Sequence, residues 1–281
     1  MIIDAVTDSF IDGVKLLPFL FLTYLAMEYL EHKAGQRMQE AIRSAGRGGP
    51  AIGSVLGLFP QCGFSTVASN LYAGRIITMG TLLAVFLSTS DEMLPIMISE
   101  NVGAAVIFKI LAVKVAVALA AGFAVDFLFR GKHRQMQIEH LCEQHHCHCE
   151  NGIWKSALHH TVEIFLYVMG ISLVLNLLIG WIGDDAIGSL FLNRPVVGEL
   201  LAALLGMIPN CASSVAITQL YLEGVMSAGA MTAGLLAGSG VGLLVLFRVN
   251  DDHRENFRIL GLLYGIGVLG GIAVNWLGIS I

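Results

Sequence analysis

The chain of 281 residues is 56% apolar and 13% charged, with a mean hydropathy of +0.74 and a formal charge of −5. A soluble domain carries about 25% charged residues, so this composition cannot cover a folded chain with polar surface, and we read an integral membrane protein. The 16 Lys and Arg form no basic face, which excludes nucleic-acid binding, and five Cys, an odd number, argue against a disulfide scaffold.

The opening residues Met1–Asp8 lack the basic region of a cleavable signal peptide, so we read them as mature sequence. A first apolar stretch at about 10–30 is near the ~20 residues that a helix needs to cross the hydrocarbon. A basic linker with Lys33, Arg37, Arg43 and Arg47 follows, then an apolar block at about 51–98 that is too long for one crossing and is interrupted by Pro60. A clean span at about 104–129 leads into a second basic linker with Arg130, Lys132, Arg134 and Lys155. The second half follows the same plan: a span at about 160–181, a long block at about 196–247 interrupted by Pro209, a basic turn with Arg248, Arg254 and Arg258, and a span at about 258–277.

The three linkers hold 11 of the 16 basic residues, so the positive-inside rule makes them cytoplasmic and puts the N-terminus, with Asp4 and Asp8, outside. Each long block then crosses a net odd number of times, as one crossing plus a re-entrant hairpin or as three short crossings. Either way each half has an odd total.

An offset of 149 residues aligns Gly57-Leu-Phe-Pro60-Gln61-Cys62-Gly-Phe-Ser65 with Gly206-Met-Ile-Pro209-Asn210-Cys211-Ala-Ser-Ser214, and the window 57–90 holds 10 identities in 34 positions. The chain is a duplication. Two copies with odd crossings must insert upside down relative to each other. Inverted repeats with matching Pro/Gly interruptions are the signature of secondary transporters, whose substrate site lies at the repeat interface. The expected fold is therefore an all-α polytopic membrane protein of two inverted-topology repeats with broken or re-entrant helices. We divide it as 1–130, the first repeat; 131–158, a cytoplasmic His/Cys-rich linker; and 159–281, the second repeat.

The paired motifs offer an amide each from Gln61 and Asn210, a thiol each from Cys62 and Cys211, and a hydroxyl each from Ser65 and Ser214. Thiolates select soft or borderline metals, and these six residues are the candidate substrate ligands. The plainer alternatives are a pair of Pro kinks and two small buried Cys. Asp91 and Glu92 end the run Ser88-Thr89-Ser90 in the first half only, where the second half reads Ala237-Gly238-Ser239-Gly240. Carboxylates within an apolar block default to cation binding or proton relay, so both join the candidate substrate site and, with Lys114 in the next helix, a coupling group. Solvation at the outer interface is their bland alternative. The linker holds His140, Cys142, His145, His146, Cys147, His148 and Cys149, seven strong ligands in ten residues, a mixture that suits zinc-like ions without any fixed finger spacing. A polar linker with incidental His is the competing view.

The Pro60-Gln61-Cys62 and Pro209-Asn210-Cys211 motifs, with the Ser88–Glu92 run, resemble the ten-transmembrane heavy-metal exporter family, which is distantly similar to the arsenical permeases and is labelled arsenic efflux or manganese transport. The resemblance covers essentially the whole chain, and it implies metal or metalloid export by an inner-membrane carrier with five segments per half. The expected activity is secondary-active export of a divalent transition or heavy-metal ion (Zn, Mn, Cd or Co-like) across the inner membrane, driven by protons. The rivals are efflux of an arsenite-like metalloid or small organic anion, and a membrane metal sensor. An enzyme is not expected, because all nine His fall in or beside linkers and no phosphate loop is present. No tightly bound cofactor is expected. The partners are the metal substrate and the bilayer, with homo-oligomerisation left open.

Overall fold

The computed structural model describes residues 48–58, 62–90, 93–129, 196–209 and 211–278, with isolated helical residues between 17 and 25 and between 154 and 173. Every regular element within those residues is an α-helix. In chain order they are α1 (Gly49–Leu56), α2 (Cys62–Ala73), α3 (Met79–Ser88), α4 (Met93–Ser99) and α5 (Ala104–Leu128), then α6 (Val197–Gly206), α7 (Cys211–Leu222), α8 (Ala228–Ala237), α9 (Gly242–Val249) and α10 (His253–Trp276). Adding 149 to the bounds of α1–α5 gives those of α6–α10 to within one residue, so the sequence duplication is a duplication of helices.

Local signals repeat with it. Thr78 caps α3 by accepting from Thr81 N, and Ser227 caps α8 by accepting from Ala230 N, both at 3.1 Å. Each such cap contributes about 1 kcal/mol. The helices α2 and α7 end alike: Arg75 (φ 58°) and Gly224 (φ 75°) take the left-handed conformation that closes a helix C-terminus, with Ile76 N bonded to Leu71 O and Val225 N to Leu220 O. The gap after α6 holds Pro209, whose ring cannot continue a helix, and Pro60 is its counterpart in the sequence. The gap after α3 has another cause. Ser88 and Thr89 turn their hydroxyls back onto Ala84 O and Val85 O at 2.7 Å each, which competes with the main-chain ladder.

Glycines record the chain directions. A Cβ on Gly49 or Gly53 would meet Thr81, and one on Gly57 would meet Ser88, so α1 and α3 run parallel and α2 runs back between them. Gly80 lies against Gly122 O and Gly122 against Ala84, so α5 runs antiparallel to α3. The second half repeats this with Gly206 on Gly234 O and Gly271 on Gly229 O. Such backbone approach is what small residues permit where lipid gives no hydrophobic drive to pack.

The halves interlock reciprocally: α9 packs on α2, and α4 packs on α7. At the first contact a Cβ on Gly242 would come within 2.7 Å of Ser65, and Ser69 Oγ donates to Gly242 O at 2.7 Å. Arg75 at the end of α2 meets Asn250 and Glu255 beyond α9, so α2 and α9 run parallel. Hydrophobic clusters join both halves: Leu82 and Phe86 of α3 cluster with Leu236, Leu246 and Leu263, and Met93, Met97 and Ile110 with Ile217 and Met231.

Among the described residues, three stretches are long and apolar enough to span a membrane: α5, residues 228–249 (α8 and α9 with the short break between them), and α10. Only 17% of the apolar window of α5 is buried, against 83% for residues 228–249. The broken stretch is therefore central, while α5 presents Phe108, Phe123 and Phe127 outward, as a lipid-facing helix would.

Candidate functional site

The breaks after α3 and α8 come together around a small cavity. Thr89 and Ser90 line it from the first half; Ser213 and Ser214 in the first turn of α7, and Gly238 and Gly240 in the second break, line it from the other. Its volume of about 10 Å³ is near the least that holds one water-sized species.

The hydrogen bonds decide what the cavity offers. Thr89 Oγ1 donates to Val85 O at 2.7 Å, Ser90 Oγ to Ser88 O at 3.1 Å, and Ser213 Oγ to Ile208 O at 3.1 Å. A hydroxyl has one proton and two lone pairs. With its proton on a main-chain carbonyl, a hydroxyl such as that of Thr89 or Ser90 keeps oxygen lone pairs, the kind of donor that a hard cation uses. Ser239, the repeat counterpart of Ser90, is buried in the second break, and its Oγ has no hydrogen-bond partner among the described residues.

Lys114 stands in the middle of α5 and is 1% exposed. Its Nζ donates to Thr89 O and, at 3.0 Å, to Leu235 O. Thr89 and Leu235 both line the cavity. An ammonium removed from water costs several kcal/mol unless oxygens replace its hydration, and these two carbonyls do part of that.

Of the residues that the sequence singles out, Ser214 lines the cavity and Ser65 is buried where α2 meets α9. Cys62 and Cys211 open α2 and α7 at equivalent positions, with side chains outside the described residues. Gln61, Asn210, Asp91, Glu92 and the whole tract His140, Cys142, His145, His146, Cys147, His148 and Cys149 also lie outside them. Among the described residues no three His, Cys, Asp or Glu side chains converge.

Sequence reasoning passed over the lining by Thr89, Ser90 and Ser213. The first two stood in view as the lead-in to the acids, but nothing in the sequence shows that they line one cavity with residues of α7. It also passed over Glu199, a fully buried carboxylate in the first turn of α6 that accepts from Asn275 Nδ2 at 3.0 Å. A lone acid in an apolar block is the signal that could have found it.

At the end of the molecule where α2 and α9 terminate, a second polar cluster ties the halves. Arg75 Nη1 donates to Glu255 Oε2 at 2.6 Å, the guanidinium lies 5.4 Å from the Tyr72 ring, and Asn250 and Asn256 bond to each other. Burial lowers the Arg75 pKa, but the bond and charge of Glu255 outweigh it and leave it above the ordinary value.

The cavity thus sets a few hydroxyl-bearing residues in a mostly apolar lining between the duplicated halves. One family model, described as "Putative, 10TM heavy-metal exporter", matches residues 1–184. The chain belongs to that family. The match takes in α1–α5 and stops short of α6–α10, which repeat them. No curated protein and no solved structure matches the chain. The family's description names transport of heavy metals, and the long apolar helices are those of a multi-pass membrane protein.

Proposed function

We propose that this protein is a secondary-active exporter that carries a divalent transition or heavy-metal ion out across the cytoplasmic membrane in exchange for protons. The observation that carries this reading is the cavity between the two breaks, where hydroxyl-bearing Thr89, Ser90, Ser213 and Ser214 come together from both halves, in a chain of the heavy-metal exporter family. The ion would sit there as substrate, with Cys62, Cys211, Gln61, Asn210, Ser65 and Ser214 approaching from the paired motifs. Asp91 and Glu92 follow Ser90 directly and would take the exchanged proton, with Lys114 as their counter-charge. The His140–Cys149 tract would collect the ion on the cytoplasmic side.

The chain directions support an inverted arrangement. In the proposed topology α1–α2 is a re-entrant hairpin, α3–α4 a broken crossing and α5 a full one; α6–α10 do the same from the opposite side. Since α2 runs back relative to α3 and parallel to α9, the broken crossing α8–α9 would oppose α3–α4. The boundaries 1–130, 131–158 and 159–281 follow, with the linker cytoplasmic and the N-terminus outside. Alternating access would be a rocking of one repeat against the other about the cavity.

A second reading keeps the carrier and changes the cargo to an arsenite-like metalloid or small anion. Lys114 and the N-terminal turn of α7 at the cavity favour it, because a helix N-terminus and an ammonium both attract negative charge. A survival panel of metals and metalloids in a deletion strain, followed by flux into everted vesicles under an imposed pH gradient, decides. Zinc, cadmium, cobalt or manganese accumulation that collapses with the gradient supports the first reading. Metalloid flux alone supports the second. Metal binding with no flux makes the protein a sensor and overturns both.

A further inference from the structure

Two oxygens that accept from Lys114 belong to different halves. Thr89 O follows the end of α3, and Leu235 O lies in the last turn of α8. Carbonyls at a helix C-terminus have no intrahelical partner and carry the negative end of the peptide dipoles, so both are strong cation acceptors. Neither α3 nor α8 contains an acidic side chain. The repeat counterpart of Lys114 is Leu263, fully buried in the hydrophobic core against α3 and α9. The fold thus fills the equivalent place with hydrocarbon, and packing alone does not demand an ammonium there.

We infer that the main-chain oxygens of Thr89 and Leu235 form a cation site between the halves, and that the Lys114 ammonium is its tethered occupant. Resting on the carrier reading, the consequence is direct. A metal ion entering the cavity meets a positive charge already bound to two of its wall oxygens, and the two repel. The ammonium must leave these oxygens for the ion to use them. Because the oxygens come from both halves, that exchange also releases a tie between the halves. Lys114 is on this account a positioning residue that links ion occupancy to relative movement.

The test replaces the tethered ion by a free one. Lys114→Ala removes the side chain beyond Cβ, and propylammonium restores those atoms. Purified Lys114→Ala protein is expected to melt lower than wild type, to regain part of that loss with propylammonium, and to ignore tetramethylammonium, which has no N–H. In everted vesicles the variant is expected to lose metal flux, with partial recovery in propylammonium. Lys114→Met keeps the volume without the charge and is expected to stay in the membrane and to remain inactive. Wild-type KM and kcat in Lys114→Met, or a Lys114→Ala melting curve that propylammonium leaves unmoved, would overturn the inference. A propylammonium-dependent rise in melting temperature beside a wild type that moves no metal keeps the cation site and sinks the carrier reading.

Discussion

Arg75 separates two opposing contributions at one position. Its side chain ties the halves through Glu255 at 2.6 Å, with the two side chains 16% and 21% exposed. A charge-assisted bond in so sheltered a place contributes about 2 kcal/mol, and loss of the Tyr72 ring contact adds a few tenths. The same residue holds φ 58°, a conformation that costs an L-residue about 1 kcal/mol and glycine almost nothing. Arg75→Ala loses the pair and keeps the backbone cost, so it should destabilise by about 2 kcal/mol, lowering the melting temperature by about 3–4 °C for a chain of this size. Arg75→Gly loses the same pair but removes the strain, and should fall only about half as far. The double reversal Arg75→Glu with Glu255→Arg should recover part of the loss. Thermal unfolding in detergent, read by tryptophan fluorescence and by aggregation, gives the comparison. Equal losses in Arg75→Ala and Arg75→Gly would refute the backbone argument, and an unaltered Glu255→Gln would refute the pair.

Two further outcomes follow from the packing around the cavity. Ser239→Ala deletes a buried hydroxyl that has no partner among the described residues, and should leave stability unchanged or raise it by about 1 kcal/mol while weakening metal flux; a drop in melting temperature would mean that the hydroxyl is satisfied. Gly206→Ala places a Cβ against Gly234 O closer than any real contact allows, and should cost about 1–3 kcal/mol and lower the yield of folded protein in the membrane, whereas wild-type melting would show that α6 and α8 can separate freely.

The sequence by itself determined the membrane class, the duplication, and the places where Pro60 and Pro209 interrupt the two long blocks. Pro60 with Pro209 and the 104–129 span were readable, because each answers a local demand: a ring that interrupts a helix, enough apolar residues to cross oil; the matched caps Thr78 and Ser227 went unread, although a hydroxyl before an apolar run is their signal. The paired breaks after α3 and α8 were half visible, through the Ser88–Glu92 run and its glycine-rich counterpart. What only the tertiary structure decided is which of these pieces face one another. Lys114 finds Leu235, 121 residues away, and Ser69 finds Gly242, 173 residues away. In water a buried face is marked by its contrast with a polar one. In a bilayer the lipid-facing and protein-facing sides of a helix are equally apolar, so hydropathy shows that a helix crosses but is silent on what it touches.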